Sequence, residues 1–202
     1  PYSGMLPGYI AGHYVYDDVH IDLARLAVLA GARFYRDEVT GIDRAAGKVL
    51  CRNRPPVPFD LCSINTGSTP QVARVAGAAD HVVPVKPIHQ FNQRWLALLA
   101  RVRAHAGVTT IAVVGGGAGG VELTLAMQYR LQRELQAMGR HPDELVFHLL
   151  TRDAQVMATH NTGVQRRFAQ VLAQRGVQVH TGAEVHAVNA GQLVTANGQT
   201  LA

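Results

Sequence analysis

A chain of 202 residues that is 48% hydrophobic and 16% charged can bury a sizeable core, and this composition excludes gross disorder. Its formal charge of +5 suits an anionic partner, a cofactor phosphate or a membrane surface. The basic residues are scattered (Arg25, Arg44, Arg94, Arg101, Arg140 and Arg166 among them), so no Lys/Arg block marks a nucleic-acid-binding arm.

Cys51 and Cys62 are the two cysteines and lack CxxC spacing, which argues against a disulfide framework and against zinc. No run approaches the roughly 18 apolar residues of a membrane span, and no signal peptide is evident. The first residue is Pro1 rather than Met, so the chain reads as a piece of a longer one. These features imply a cytoplasmic location, with contact at the inner membrane face left open.

Residues 1–17 are rich in Gly, Pro and Tyr and are expected to be irregular. "DDVHIDLARLAVLAG" predicts a helix with Asp17 or Asp18 as its cap, an apolar face of Ile21, Leu26 and Leu29, and Gly31 as its stop. "ARFYRDEVTGID", "GKVLCRN" and "FDLCSINTG" predict strands separated by turn signals at Gly41, Gly47 and Pro55-Pro56, a small antiparallel meander. "KPIHQFNQRWLALLARVRAHAG" predicts a connector and then a helix ending near Gly107.

The period changes at residue 108. "VTTIAVV" predicts a buried strand. A helix of about twenty residues follows, with Val121, Leu125, Leu131, Leu135 and Met138 inward. "ELVFHLL" is a second strand, "GVQRRFAQVLAQRG" a helix with Val164, Phe168, Val171 and Leu172 on one face, and "VQVHTG" a third strand. A closing hairpin completes the chain. The order strand, helix, strand, helix, strand implies a parallel sheet, so the fold class is α/β: a Rossmann-like βαβαβ unit preceded by an antiparallel meander.

Gly115, Gly117 and Gly120 form G-x-G-x-x-G inside "IAVVGGGAGGVELTLA", where a strand ends and a helix opens. Gly115 permits the tight turn, Gly117 lets the backbone approach a pyrophosphate, and Gly120 lets helix and strand pack closely. Gly116, Ala118 and Gly119 complete a stretch nearly free of side chains, whose N–H groups and helix dipole favour phosphate. Thr151 stands where a ribose-binding acid is expected. Arg152 beside it could pair with a 2′-phosphate, which tilts the choice toward NADPH or weak discrimination. A slip of two residues would put Asp153 in the acidic role and restore NADH.

The ten histidines show no HxxxH or HExxH pattern. His148 and His180 alternate with apolar residues in strands and are expected to satisfy local hydrogen bonds. Tyr2, Tyr9, Tyr14 and Tyr16 could form an aromatic wall or simply pack the loop. "YRLQRELQAMGRH" reads as a solvated helix face.

Together these pieces resemble the pyridine nucleotide-disulfide oxidoreductase flavoproteins. "EVTGIDRAAGKVL…FDLCSINTGSTP" resembles the closing strands of that family's FAD domain, with Ser63-Ile64-Asn65 where small or apolar residues are usual. "IAVVGGGAGGVELT" matches its NAD(P) fingerprint, Glu122 included. "YSGMLPGYIAGHY" and "VKPIHQFNQRW" are similar to the type II NADH dehydrogenase-like branch associated with selenide, water dikinase. The resemblance implies a partial FAD-binding domain over 1–107 and a C-terminally truncated NAD(P)-binding domain over 108–202. It also implies that Val39 contacts the FAD adenine through its backbone, that Thr66 and Gly67 lie by the FAD phosphates, and that Glu122 sits near the nicotinamide. The family's early CxxxxC is missing from "PYSGMLPGYIAG", so electrons would pass from NAD(P)H to FAD and directly to an acceptor such as a quinone. Cys51 and Cys62 are expected to be small buried hydrophobes.

The enzyme reading is thus a flavin-dependent NAD(P)H oxidoreductase, of which this chain alone would be inactive. A dinucleotide-binding module without turnover is the second reading. An α/β domain whose glycines serve packing alone is the third. Open apolar surface within residues 1–107 would favour self-association.

Overall fold

The computed structural model describes residues 2–67 and 72–202. The chain divides into two compact units, Pro1–His20 with Thr69–Ala202, and Ile21–Ser68.

The larger unit is built on three parallel strands, β4 (Thr109–Val114), β5 (Leu145–Leu150) and β6 (Gln178–His180), in the order β4-β5-β6. Ile111 stands beside Phe147, Val114 beside Leu150, and Leu150 beside His180. Helix α5 (Ala118–Ala137) links β4 to β5, and α6 (Thr162–Gln174) links β5 to β6. This is the predicted Rossmann-like α/β arrangement. Five of the six residues of β5 are buried, as a central parallel strand covered on both faces requires.

On α5, Val121, Thr124, Gln128, Leu131 and Leu135 recur every three or four residues and are buried. The two polar members of this stripe donate inward: Thr124 Oγ1 to Gly120 O (2.7 Å) and Gln128 Nε2 to Arg175 O (2.8 Å), while Gln128 Oε1 is buried with no partner among the described residues. Leu125 packs partly buried against the core. Met138, expected inward, lies past the end of the helix and is 48% exposed. Asn161 caps α6 by accepting from Val164 N–H (3.0 Å), and Gly176 ends it at φ +69°, the left-handed geometry glycine adopts freely. Leu172 of α6 is buried, with Val164 and Phe168 packed beside it.

Helix α4 (Ile88–Ala104) follows its predicted span and buries Phe91, Trp95, Leu99 and Val102 in the same core. The predicted irregular start is corrected. Residues Ser3–Met5 form a 3₁₀ turn and α1 (Leu6–Ala11) a helix that buries Leu6 and Ile10 in the core. Pro7 sits in its first turn, where no intrahelical N–H bond is lost, and Gly12 ends it at φ +84°. A short helix α3 (Ala78–His81) follows, and the antiparallel strands β7 (Val185–Asn189), β8 (Gln192–Thr195) and β9 (Thr200–Leu201) close the unit. They enclose a second small core of Leu150, Ala183, Val185 and Leu193.

The smaller unit holds α2 (Leu23–Leu29) and the antiparallel strands β1 (Val39–Asp43), β2 (Lys48–Cys51) and β3 (Val57–Pro58). The cap of α2 is Asp22, whose carboxylate accepts from Ala24 and Arg25 N–H; Asp17 and Asp18 instead lie in a 3₁₀ turn. Gly31 stops α2 as predicted, at φ +65°. Ile21, Leu26 and Leu29 form no inward face here: they are 57%, 48% and 86% exposed. The meander is present, but its third strand is Val57–Pro58 rather than "FDLCSINTG", which has no strand among its described residues. An apolar run becomes a strand only where a neighbour supplies its hydrogen bonds. Cys62 is accordingly exposed and Cys51 half-buried, where both were expected to be buried.

Candidate dinucleotide-binding site

The glycine stretch occupies the turn from β4 into α5. Gly115 N–H donates to Leu150 O (2.8 Å), one residue past the end of β4, and Gly115 has φ +126°. That backbone region is open to glycine and costly for other residues. A β-carbon on Gly120 would lie 1.8 Å from Gly115 O, and one on Gly116 would lie 2.6 Å from Thr151 Cβ. Gly120 therefore lets helix and turn meet, and Gly116 packs on the end of β5. Gly117 and Gly119 differ: nothing lies within 4 Å of a β-carbon at either.

Gly117 is the N-cap of α5, its carbonyl accepting from Val121 N–H (3.0 Å), and no side chain caps the helix. The first-turn N–H groups and the positive end of a 20-residue helix thus sit beside open space. Ala118 is half-buried against the core, and Glu122 is exposed one turn further on. An anion approaching Gly117 and Gly119 would meet backbone donors, with no other side chain within 4 Å of where their β-carbons would stand.

Thr151 is 4% exposed and tightly held. Its side chain abuts Gly116, its Oγ1 accepts from Asp153 N–H (3.3 Å), its N–H donates to His180 O (2.9 Å), and its carbonyl accepts from Ala183 N–H (2.8 Å). Arg152 and Asp153, which follow, are both exposed.

The residues assigned to FAD belong to the smaller unit. Val39 opens β1 opposite Cys51 and is 56% exposed. Thr66 and Gly67 are exposed, with Gly67 at φ +72°. No hydrogen bond among the described residues joins Val39 to Thr66 or Gly67. Ser68, Thr69 and Pro70 of "SINTGSTP" lie outside the described residues.

The remaining candidates make local contacts within the larger unit. His148 Nδ1 and His180 Nε2 are 2.9 Å apart, the local hydrogen bond expected. Burial, and then the neighbouring His180, hold the His148 imidazole below its ordinary pKa. No group of three or more His, Cys, Asp or Glu among the described residues could hold a metal; the His89 side chain is not among them. Tyr9 donates to Asn92 Oδ1 and packs edge-on against Tyr16, with ring centroids 6.2 Å apart. Tyr2 and Tyr14 are 56% and 42% exposed. The stretch "YRLQRELQAMGRH" is less solvated than expected: the Glu134 side chain is 18% exposed and accepts from Arg103 and Arg130.

A cavity of about 550 Å³ between α6 and β6 contains none of the glycine-turn residues in its lining. Sequence reasoning missed Met157, a buried non-glycine residue at φ +57° whose N–H donates to Gly116 O (2.7 Å). No pattern in the sequence signals it.

Comparison with curated proteins found no match. Among solved structures, the fold is similar to that of NDH2 from Plasmodium falciparum in complex with NADH, with TM-score 0.82, 14% identity, and coverage of 100% of this chain and 46% of that one. It is similar to the sulfide:quinone oxidoreductase of Aquifex aeolicus, with TM-score 0.76, 18% identity, and coverage of 99% and 47%. A NAD-dependent persulfide reductase from A. fulgidus gives TM-score 0.73, 20% identity, and coverage of 98% and 36%. The chain spans less than half the length of each of these three. No helix among the described residues is long and apolar enough to cross a membrane. Over residues 10–202 the sequence matches the pyridine nucleotide-disulphide oxidoreductases, and the chain belongs to that family of FAD- and NAD(P)H-dependent oxidoreductases.

Proposed function

We propose that this chain carries the dinucleotide-binding part of a flavin-dependent NAD(P)H oxidoreductase, with residues 108–202 as the NAD(P)-binding domain and residues 1–107 as part of the FAD-binding domain. The observation that carries the reading is the division of labour in the glycine turn. Gly120 and Gly116 are committed to packing, while Gly117 and Gly119 face open space beside an uncapped helix N-terminus. A packing role alone accounts for the first pair and not for the second.

In this reading the N–H groups of residues 117–120 hold the pyrophosphate. Arg152 is the exposed cation available to a 2′-phosphate, with Asp153 as the acid for a ribose hydroxyl, and Glu122 lies toward the nicotinamide. Thr151 supports the turn through Gly116. Val39, Thr66 and Gly67 would border the FAD and need further protein around them. When bound, the reduced nicotinamide supplies a hydride and the flavin accepts it. The residues of this chain bind and orient, and none is required as an acid or base.

The chain has no CxxxxC, which supports direct transfer to a quinone or another small acceptor rather than through a redox disulfide. The finer assignment is the type II NADH dehydrogenase-like branch, in association with selenide, water dikinase, and in the cytoplasm or against the inner membrane face. The exposed Leu23, Val28, Leu29 and Leu61 support self-association of the isolated chain.

A binding module without turnover is the second reading. The exposed, unjoined FAD residues favour it for this chain taken alone. The test is to add FAD to the purified chain, record bound flavin absorbance, and assay NADH-dependent reduction of a soluble quinone. Bound flavin with quinone reduction supports an enzyme in this chain alone. Nucleotide binding with neither supports the module.

A further inference from the structure

We propose that Gln165 of α6 is a positioning residue for the glycine turn, acting through Met157; this rests on reading that turn as the dinucleotide cradle. Met157 N–H donates to Gly116 O at 2.7 Å. In a trans peptide the carbonyl and the next N–H point in opposite directions. Fixing Gly116 O on Met157 therefore fixes Gly117 N–H pointing away from Met157. The orientation of a donor meant for phosphate is set by a residue 40 positions later in the chain.

Met157 makes this bond from φ +57°, a conformation that L-residues avoid and that persists only where the surroundings impose it. The Gln165 side chain imposes it. Its Nε2 donates to His160 O (2.7 Å) and lies 3.4 Å from both Met157 O and Ala158 O. Its Oε1 accepts from Gln155 Nε2 (2.9 Å). One amide thus gathers residues 155–160, and His160 N–H closes the same turn on Met157 O (2.8 Å). Burial of Val156 and Met157 adds grip, but apolar contact does not choose the direction of an N–H; the amide network does.

The experiment is amide hydrogen exchange of the whole chain, with NADH affinity measured on the same samples, for the unsubstituted protein, Gln165→Glu and Gln165→Leu. Gln165→Glu keeps the size, loses the donor and adds a negative charge, whereas Gln165→Leu loses the donor without adding charge, so the effect must appear in both. The expected result is exchange of the Met157 amide at least tenfold faster in both variants, NADH Kd raised about tenfold, and the Phe147 amide of β5 unchanged as the folding reference. Unchanged Met157 exchange in Gln165→Glu overturns the proposal, and so does faster exchange with unaltered NADH affinity. Failure of the dinucleotide reading is distinguishable, because the unsubstituted chain would then itself bind no NADH.

Discussion

The Cα of Gly120 approaches Gly115 so closely that a β-carbon there would lie 1.8 Å from the Gly115 carbonyl oxygen. The obstacle is backbone, and the Gly115 N–H of the same turn is tied to Leu150 O. Neither partner can yield without breaking the β4–α5 junction. Gly120→Ala is therefore expected to destabilise the chain by about 3 kcal/mol or more, the upper range for overpacking. Urea unfolding followed by circular dichroism checks this. A loss below about 1 kcal/mol would show that the junction relaxes easily.

The His148–His180 pair sets an acid limit on stability. Burial and the second ring lower the His148 pKa in the folded state, so the unfolded chain takes up the proton first as pH falls. The stability from neutral His148 is fully present above the unfolded value of about 6.5 and is lost as pH drops below it toward the folded value. The unfolding midpoint should hold steady between pH 7.5 and 8.5 and fall between pH 6.5 and 5.5. In His148→Leu that fall should shrink. A midpoint equally steady down to pH 5.5 in both proteins would contradict the assignment.

Glu134 joins two helices. It accepts from Arg103 of α4 (2.6 Å) and from Arg130 of α5 (2.7 Å). Burial raises its carboxyl pKa, but the two guanidinium groups outweigh burial and the net shift is downward. Its contribution is present above the usual carboxylate range and lost as pH falls through the lowered value. Arg103 is about half exposed, so screening discounts the pair. Glu134→Gln should cost about 1 kcal/mol at low salt and less at 1 M salt. A cost independent of salt would point to packing instead of charge.

The elements nearest the turn were the most legible in the sequence. From β4 to β6 the apolar period and the Gly punctuation agree, so the strand and helix order is legible in the sequence. Residues 6–11 were not legible because Pro7, Gly8 and Gly12 resemble a loop, and only burial of Leu6 and Ile10 against the core reveals the helix. "FDLCSINTG" misled for a tertiary reason: alternation marks what a strand could bury, while a partner decides whether it forms. The glycine turn was visible as a motif, but the sequence could not separate Gly120, which packs, from Gly117, which faces open space. Met157 was invisible, since a positive φ in a non-glycine residue is imposed from outside its local sequence.

That separation gives the most direct test of the dinucleotide reading. Gly117 has φ −76° and no atom beyond its chain neighbours within 4 Å of where a β-carbon would stand, so Gly117→Val should fold like the unsubstituted chain. The measurement is a titration of both proteins with NADH and NADPH, followed by Trp95 and reduced-nicotinamide fluorescence. The account predicts saturable binding to the unsubstituted chain and at least a tenfold loss in Gly117→Val, with the thermal midpoint unchanged. Equal binding by both proteins, or no binding of either nucleotide to the unsubstituted chain, would contradict it.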